Sequence, residues 1–425
     1  MQVKINTRAE KADMQDLFGI FFEDLNHAAD GGLYAELIRN RAFEFCSVDN
    51  PDYHGLTAWE KIEKGGKTEL HVEKEHGLFP ENPHYLVMEI LEEGEDIGVC
   101  NYGFGPGIFY EKGAYYDFSC YARKERGDCD KLVVSLRSGT GEIYTSQTID
   151  ITEKWEKYQL TFKVPCDDRQ GRLAVTAKGS GCVELDFVSL FPVHTYKNRK
   201  NGLRRDLAQL LEEMHPRFLR FPGGCLVHGG SLHAGDRDSL YRWKNTIGPV
   251  ENRPACRNNW GYNQTMGLGY YEYFLLCEDL GAKPVPVLPG GYDPHTHEAA
   301  VGDELNDYVQ DALDLIEFAN GDAESYWGSR RAAMGHPEPF HMEYIGIGNE
   351  EVGEPFFERY PLFHRAVREK YPEIKIIGTS GPFAAGKEYD RGWQSAREEG
   401  ADLVDEHYYQ SPEWFIAEHH RYDAF

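Results

Sequence analysis

The pattern of apolar and polar positions divides the chain into three regions. Residues 17–22 form an unbroken apolar run, which is typical of a strand buried on both faces, and residues 33–38 show a helical pattern. From about residue 46 to 193, short alternating stretches are separated by glycine-rich or charged turns, with almost no helical periodicity. This middle region is predicted to be an all-β sandwich of the jelly-roll kind.

The third region alternates strand patterns with helix patterns. Strands are predicted at 217–221, 284–288, 344–347, 374–378 and 403–407, and helices at 203–214, 267–280, 305–318, 356–370 and 392–399. This rhythm predicts parallel strands joined by right-handed helical crossovers. With the strand at 17–22, the α/β part has six strands. The predicted division is therefore 1–45 for the first strand and helix, 46–193 for an inserted sandwich, and 194–425 for strands two to six.

Six strands fit either an open parallel sheet or an incomplete (β/α)₈-type barrel, which needs eight. Polar residues at the predicted strand ends favour the barrel, because a barrel gathers these ends around one mouth. They include Glu23 after the first strand, Arg220 at the second, Asn349 and Glu350 after the fourth, and His407 and Tyr409 after the last. Together they predict a pocket for a polar ligand.

The strongest of these signals is the buried run Tyr344–Ile347 leading into Gly-Asn-Glu. A carboxyl group in a partly apolar mouth has its charged form desolvated, so we expect a raised pKa for Glu350 and a role as proton donor. Asn349 is expected to bind a sugar hydroxyl beside the reacting carbon. The same dipeptide would equally suit a helix cap. A structural salt bridge is likewise the alternative for Arg220, and a packed thiol is favoured over a nucleophile for Cys225.

The composition limits the kinds of partner that the chain is expected to bind. The net charge is −26, which argues against nucleic acid and anionic membranes, and no apolar run approaches the roughly 20 residues of a membrane span. Nine scattered cysteines without a CxxC pair favour a reduced, intracellular protein, and Met1–Glu10 lacks an apolar signal region, so a cytoplasmic location is expected.

No cofactor or metal is expected, because the histidines at 295, 297, 419 and 420 lack HExxH or CxxC spacing. The sequence leaves open whether the chain forms a homo-oligomer.

Several motifs in order resemble glycoside hydrolase family 51 α-L-arabinofuranosidases. They are the stretches 18–27, 31–37, 40–44, 220–224, 242–249, 253–254, 335–340, 347–350 and 407–415. The resemblance covers 17–45 and about 195–415, and the middle region resembles a carbohydrate-binding-type insert by position and composition only.

The resemblance implies a clan A barrel, a retaining mechanism, and arabinose-containing oligosaccharides or polysaccharides as substrates. Glu350 would be the general acid/base, and Asn349 would bind the sugar 2-hydroxyl. The other implied substrate contacts are Glu23, Arg220, Cys225, His407 and Tyr409, with Trp243 or Trp260 at the flank.

The family's nucleophile is a glutamate in a Gly-Glu-Tyr type motif downstream of His-x-Tyr, and no such motif follows His407 here. The chain alone is therefore expected to be inactive. An endoglucanase or β-xylosidase on the same scaffold, and a non-catalytic carbohydrate-binding protein, remain open from the sequence.

Overall fold

The computed structural model describes residues 15–228, 230–233, 235–238 and 241–423. The prediction that residues 1–10 lack an apolar signal region concerns a part of the chain outside these residues. The first element is the short strand β1 (Ile20–Phe21), which pairs in parallel with a strand formed two hundred residues later. Between the two lies an antiparallel β region.

This β region contains eleven strands in two sheets. They are β2 (Trp59–Lys64), β3 (Lys67–Glu73), β4 (Tyr85–Glu92), β5 (Asp96–Asn101), β6 (Ile108–Tyr110), β7 (Tyr115–Gly127), β8 (Lys131–Arg137), β9 (Ile143–Asp150), β10 (Glu156–Lys163), β11 (Asp168–Lys178) and β12 (Gly181–Pro192). One sheet has the order β10-β7-β12-β4-β3 and the other β2-β5-β11-β8-β9, with β6 beside β11. Apolar side chains from both sheets form one core between them, so the predicted sandwich is confirmed as a fold.

The α/β part continues with elements that alternate along the chain. They are α1 (Arg205–Glu213), β13 (Phe218–Phe221), the hairpin β14 (Cys256–Asn258) and β15 (Tyr262–Gln264), α2 (Tyr270–Leu280), β16 (Lys283–Leu288), α3 (Gly302–Asn320), α4 (Tyr326–Ala333), β17 (Tyr344–Ile347), α5 (Glu354–Lys370), β18 (Lys375–Thr379), α6 (Lys387–Glu399), β19 (Leu403–Asp405) and α7 (Pro412–Ala417). In the described residues the parallel sheet has the order β1-β13-β16-β17-β18-β19.

The parallel sheet curls around its own inner face. Alternate residues of five neighbouring strands line one cavity of about 210 Å³, among them Phe218, Val285, Tyr344, Ile377 and Leu403. Side chains two apart on a strand share a face, so a common lining requires the strands to bend toward each other. The sheet is thus the predicted incomplete barrel, with β1 and β19 each paired on one side only within the described residues.

The predicted helix at 33–38 is wrong. This segment is buried, and its backbone bonds to β12 and to the segment after it instead of to itself: the Leu37 N–H donates to Leu190 in β12, and the Ala35 N–H donates to Gly202. Glu36 ties the same region together, because its carboxylate pairs with Arg41 and accepts the Leu190 N–H. Tertiary hydrogen bonds have overridden the local helical pattern.

The helices α4 and α7 were not predicted. Both begin at a serine cap, Ser325 and Ser411, whose hydroxyl accepts a backbone N–H in the first turn. Within the described residues, no helix is both long and apolar enough to cross a bilayer.

Candidate active site

Glu350 stands at the mouth of the incomplete barrel, three residues beyond the end of the buried strand β17. Its backbone is left-handed, with φ of 57°, and Gly348 before it has φ of 86°. A Cβ at Gly348 would lie 2.6 Å from Glu351 Oε2, so the turn that presents Glu350 requires glycine there. Strained backbone of this kind at a strand end is common where a side chain must point into a site.

Two side chains from the segment after β19 hold the Glu350 carboxylate. His407 Nδ1 lies 2.6 Å from Oε1, and the Tyr409 hydroxyl donates to the same oxygen at 3.3 Å. The predicted strand 403–407 ends at Asp405, yet His407 and Tyr409 still point the same way. The Glu350 side chain keeps 16% exposure, so it remains reachable from the mouth.

The expected raised pKa of Glu350 is wrong for this chain. The hydrogen bond from His407 lowers the pKa of Glu350, and this effect outweighs the burial that would raise it. In turn, burial opposes charge on His407, but its contacts with Asp405 and Glu350 raise the pKa of His407 to about 9. At neutral pH the pair is therefore a carboxylate beside an imidazolium.

Asn349 is fully buried beside Glu350. Its Oδ1 accepts a hydrogen bond from Arg220 Nη2 at 2.8 Å, which fixes the orientation of the amide. Its Nδ2 has no hydrogen-bond partner within the described residues. A buried donor without a partner is costly, so this amide is ready to bind an acceptor on a ligand.

Asp405 belongs to the site although the sequence reading did not include it. Its Oδ2 accepts from Arg220 Nε at 3.2 Å and Nη2 at 3.1 Å, and its Oδ1 lies 3.0 Å from His407 Nε2. Burial alone would raise the pKa of Asp405, but His407 and Arg220 lower it. Asp405 could have been found from the sequence, because it lies two residues before His407 and residues two apart on a strand share a face.

Glu23 lies on the loop after β1, at the same mouth. Its Oε1 accepts a hydrogen bond from Trp260 Nε1 at 3.0 Å, and the backbone of Gly224 packs so closely that a Cβ there would lie 3.1 Å from Oε2. Cys225 follows this glycine. Partial burial and Glu350 raise the pKa of Tyr409, and Cys225 and Glu23 add to the effect, so each of these three groups lies near Tyr409.

Of the two tryptophans named for the flank, the structure places Trp260 at the pocket. Its ring is 47% exposed and touches Glu23. The expectation for Trp243 is wrong: it is 1% exposed, donates from Nε1 to the Asp311 carbonyl, and packs its ring 4.9 Å from that of Trp327. Trp243 lies against α3 and α4, where its apolar ring completes the core.

Trp243→Ala is expected to destabilise the protein by about 3–5 kcal/mol, since a large buried ring leaves a cavity. Sugar affinity of the folded variant should stay near that of the parent. Urea unfolding and calorimetric sugar titration measure the two quantities, with Trp260→Ala as the matched control, for which we expect little loss of stability and weaker binding. Loss of binding without loss of stability in Trp243→Ala would restore a pocket role for this ring.

The other strand-end acids in the described residues point elsewhere. Glu406 accepts hydrogen bonds from Trp393 Nε1 at 2.6 Å and from the Tyr408 hydroxyl, so it faces away from the pocket, as the alternation of the strand predicted. Glu351 is fully buried and accepts the Gly290 N–H at 3.3 Å. Neither carboxylate is available to a ligand in the mouth.

His228 is a buried neighbour of the site that the sequence reading overlooked. Its Nε2 bonds the Asn349 carbonyl, and Glu351 Oε2 lies 3.7 Å away. Burial opposes charge on the ring, but Glu351, the Cys225 thiol and the Asn349 carbonyl outweigh it and raise the pKa of His228 to about 10. His228 therefore supports the backbone on which Asn349 and Glu350 stand.

Comparison with known proteins agrees with the family resemblance seen in the sequence. Residues 210–425 match the model of the family described as "Alpha-L-arabinofuranosidase 1 domain". The whole chain is 44% identical to an extracellular exo-α-L-arabinofuranosidase of Streptomyces chartreusis, of which it covers 51%, and 36% identical to α-L-arabinofuranosidase 1 of Arabidopsis thaliana, of which it covers 60%. The chain thus spans about half to three fifths of the length of these relatives.

A solved structure shares the fold. It is an arabinose-bound α-L-arabinofuranosidase of glycoside hydrolase family 51, with a TM-score of 0.82 and 31% identity; the match covers 96% of this chain and 64% of that one. Since the family model matches half of the residues and the full sequence aligns to curated relatives, the chain belongs to the α-L-arabinofuranosidase family of glycoside hydrolases.

Proposed function

We propose that this chain carries the sugar-binding wall and the general acid/base of a retaining glycoside hydrolase that releases terminal α-L-arabinofuranosyl residues from hemicellulose or pectin fragments. The observation that carries the proposal is the pair Asn349-Glu350. A reachable carboxylate, held by His407 and Tyr409, stands next to a buried amide donor that lacks a partner.

In this proposal Glu350 gives its proton to the glycosidic oxygen as the bond to the anomeric carbon breaks, and later takes a proton from water. Its lowered pKa in the free chain must rise before it can act as an acid. A bound sugar supplies this change by excluding water from the carboxylate. Asn349 Nδ2 would donate to the 2-hydroxyl, and Glu23 would accept from furanose hydroxyls.

The relatives support the choice of sugar, because those of Streptomyces chartreusis and Arabidopsis thaliana are named as α-L-arabinofuranosidases. A second candidate is sugar binding without turnover by this chain alone. It is favoured by the finding that the other strand-end acids of the described residues are engaged: Glu351 and Glu406 face elsewhere, and Asp405 is bound between Arg220 and His407.

Calorimetric titration of the chain with methyl α-L-arabinofuranoside, methyl β-D-xylopyranoside and cellobiose tests the sugar class. We expect the arabinofuranoside to bind best, and Glu23→Gln to weaken it about tenfold, the equivalent of one charged hydrogen bond of roughly 1.5 kcal/mol. Glu358→Gln is the control, because that carboxylate is exposed on α5. Preference for the xyloside or cellobiose, or an effect of Glu358→Gln equal to that of Glu23→Gln, would contradict the proposal.

A further inference from the structure

Three potential metal ligands meet beside the pocket, from two loops far apart in sequence. Cys225 and His228 lie in the turn after β13, and His295 lies in the loop after β16. Their ligand atoms all lie within 4.8 Å of one another, and the centroids of the two imidazole rings are 5.4 Å apart. Neither loop alone has a recognised metal spacing, which is why the sequence did not indicate this cluster.

His228 already has the orientation of a ligand histidine. Its Nε2 bonds a backbone carbonyl, that of Asn349, and its buried Nδ1 has no hydrogen-bond partner of ordinary geometry within the described residues. Histidines that bind metals almost always direct the second ring nitrogen at a carbonyl or carboxylate in this way. The Glu351 carboxylate, 3.7 Å from the ring, strengthens this support.

We propose that Cys225, His228 and His295 form a binding site for a thiophilic divalent cation of the zinc type. One sulfur and two imidazole nitrogens are a preferred donor set for Zn²⁺, and three protein ligands leave a fourth position open. Tetrahedral Zn–N and Zn–S bonds of about 2.0–2.3 Å place ligand atoms roughly 3.5 Å apart. The exposed side chain of His295 closes the remaining gap by rotating, while buried His228 stays in place.

Occupancy of this site would act on the sugar pocket. The ion takes the Cys225 sulfur, which gives up its proton to solvent. It also displaces to solvent the second proton that the raised pKa of His228 keeps on that ring. Cys225 lies near Tyr409. The ion also holds His228, whose partner is the carbonyl of Asn349. We therefore expect the cation and an arabinofuranoside to compete. This consequence rests on the proposed function, whereas the metal site itself does not.

Metal binding is measured directly on the 425-residue chain. Calorimetry with Zn²⁺ should give one equivalent at a single tight site, and Co²⁺ should add a thiolate-to-cobalt charge-transfer band. Cys225→Ser should abolish the band. His295→Ala should weaken binding at least about tenfold, and because His295 is exposed, this variant should fold as the parent does.

His297→Ala is the matched control, since His297 lies in the same loop but its Nδ1 lies 2.9 Å from the Tyr292 hydroxyl. It should bind Zn²⁺ like the parent. The proposal is overturned if the parent shows no cobalt–thiolate band, if the band survives in Cys225→Ser, or if His295→Ala and His297→Ala bind alike. Competition between Zn²⁺ and methyl α-L-arabinofuranoside is measured in a separate titration. If the sugar does not bind, the metal-binding result still stands on its own.

Discussion

The chain on its own is expected to turn over an aryl α-L-arabinofuranoside only when a small external nucleophile such as azide is supplied. Retaining hydrolysis needs a second carboxyl about 5–5.5 Å from the acid/base. Asp405 does not fill this role, because His407 stands between Glu350 and Asp405 and bonds both. Among the described residues, Glu351 and Glu406 face elsewhere and Glu23 bonds Trp260. Without azide, turnover should lie far below the roughly 1–10³ s⁻¹ of ordinary enzymes.

Azide would form a bond to the anomeric carbon as the bond to the aryl oxygen breaks, with the proton of Glu350 passing to the departing oxygen. Attack from the face opposite the leaving group gives the β-configured arabinofuranosyl azide, which proton NMR identifies. A parallel reaction without azide is the control. Ordinary hydrolysis with retained configuration in that control would show that the chain supplies its own nucleophile.

Loss of the Arg220 side chain is expected to destabilise the fold by about 3 kcal/mol. Arg220 is buried and donates to Asp405 Oδ2 through two nitrogens and to Asn349 Oδ1. Removing one partner of a buried pair leaves the other charge without compensation, which costs about 3–5 kcal/mol in other proteins. The free energy of unfolding in urea for Arg220→Ala measures this effect.

Arg217→Ala is the control for this measurement, because Arg217 is an exposed arginine near the start of the same strand. It should cost less than about 1 kcal/mol. The double variant Arg220→Ala with Asp405→Asn should recover part of the loss, since the orphaned charge is gone. Equal stability of the two single variants would mean that Arg220 does not hold Asp405 and Asn349 in place.

The central strands β13, β16 and β17 were readable because they are buried along nearly their whole length. The apolar run 17–22 was expected to be buried on both faces, and this is wrong, because Leu17, Phe18 and Phe21 are exposed and only Ile20–Phe21 forms a strand. The apolar run Tyr344–Ile347 gave strand β17 at its observed bounds, and the strand end then placed Asn349 and Glu350 at the mouth. The alternation of His407 and Tyr409 predicted that both point one way. These inferences needed only local periodicity and the rule that parallel strands end on one side.

The errors arose where long-range contacts decide. Residues 33–38 have a helical pattern, but their backbone bonds to β12 and to the segment after it. Trp243 belongs to a motif that resembles the family, yet no local signal distinguishes a core ring from a ring at the pocket. The pKa of Glu350 depends on His407, 57 residues away in sequence, and Asp405 and His228 act through partners on other strands.

The central claim is that Glu350 is the proton donor to the leaving group. It is tested most directly by azide-supported turnover of a series of aryl α-L-arabinofuranosides, with the parent chain compared with Glu350→Gln. The account predicts a loss of about 10²–10⁴-fold for poor leaving groups and little loss for strongly activated ones, whose oxygen needs no proton. An equal loss across the series would contradict it and leave Glu350 with a structural role only.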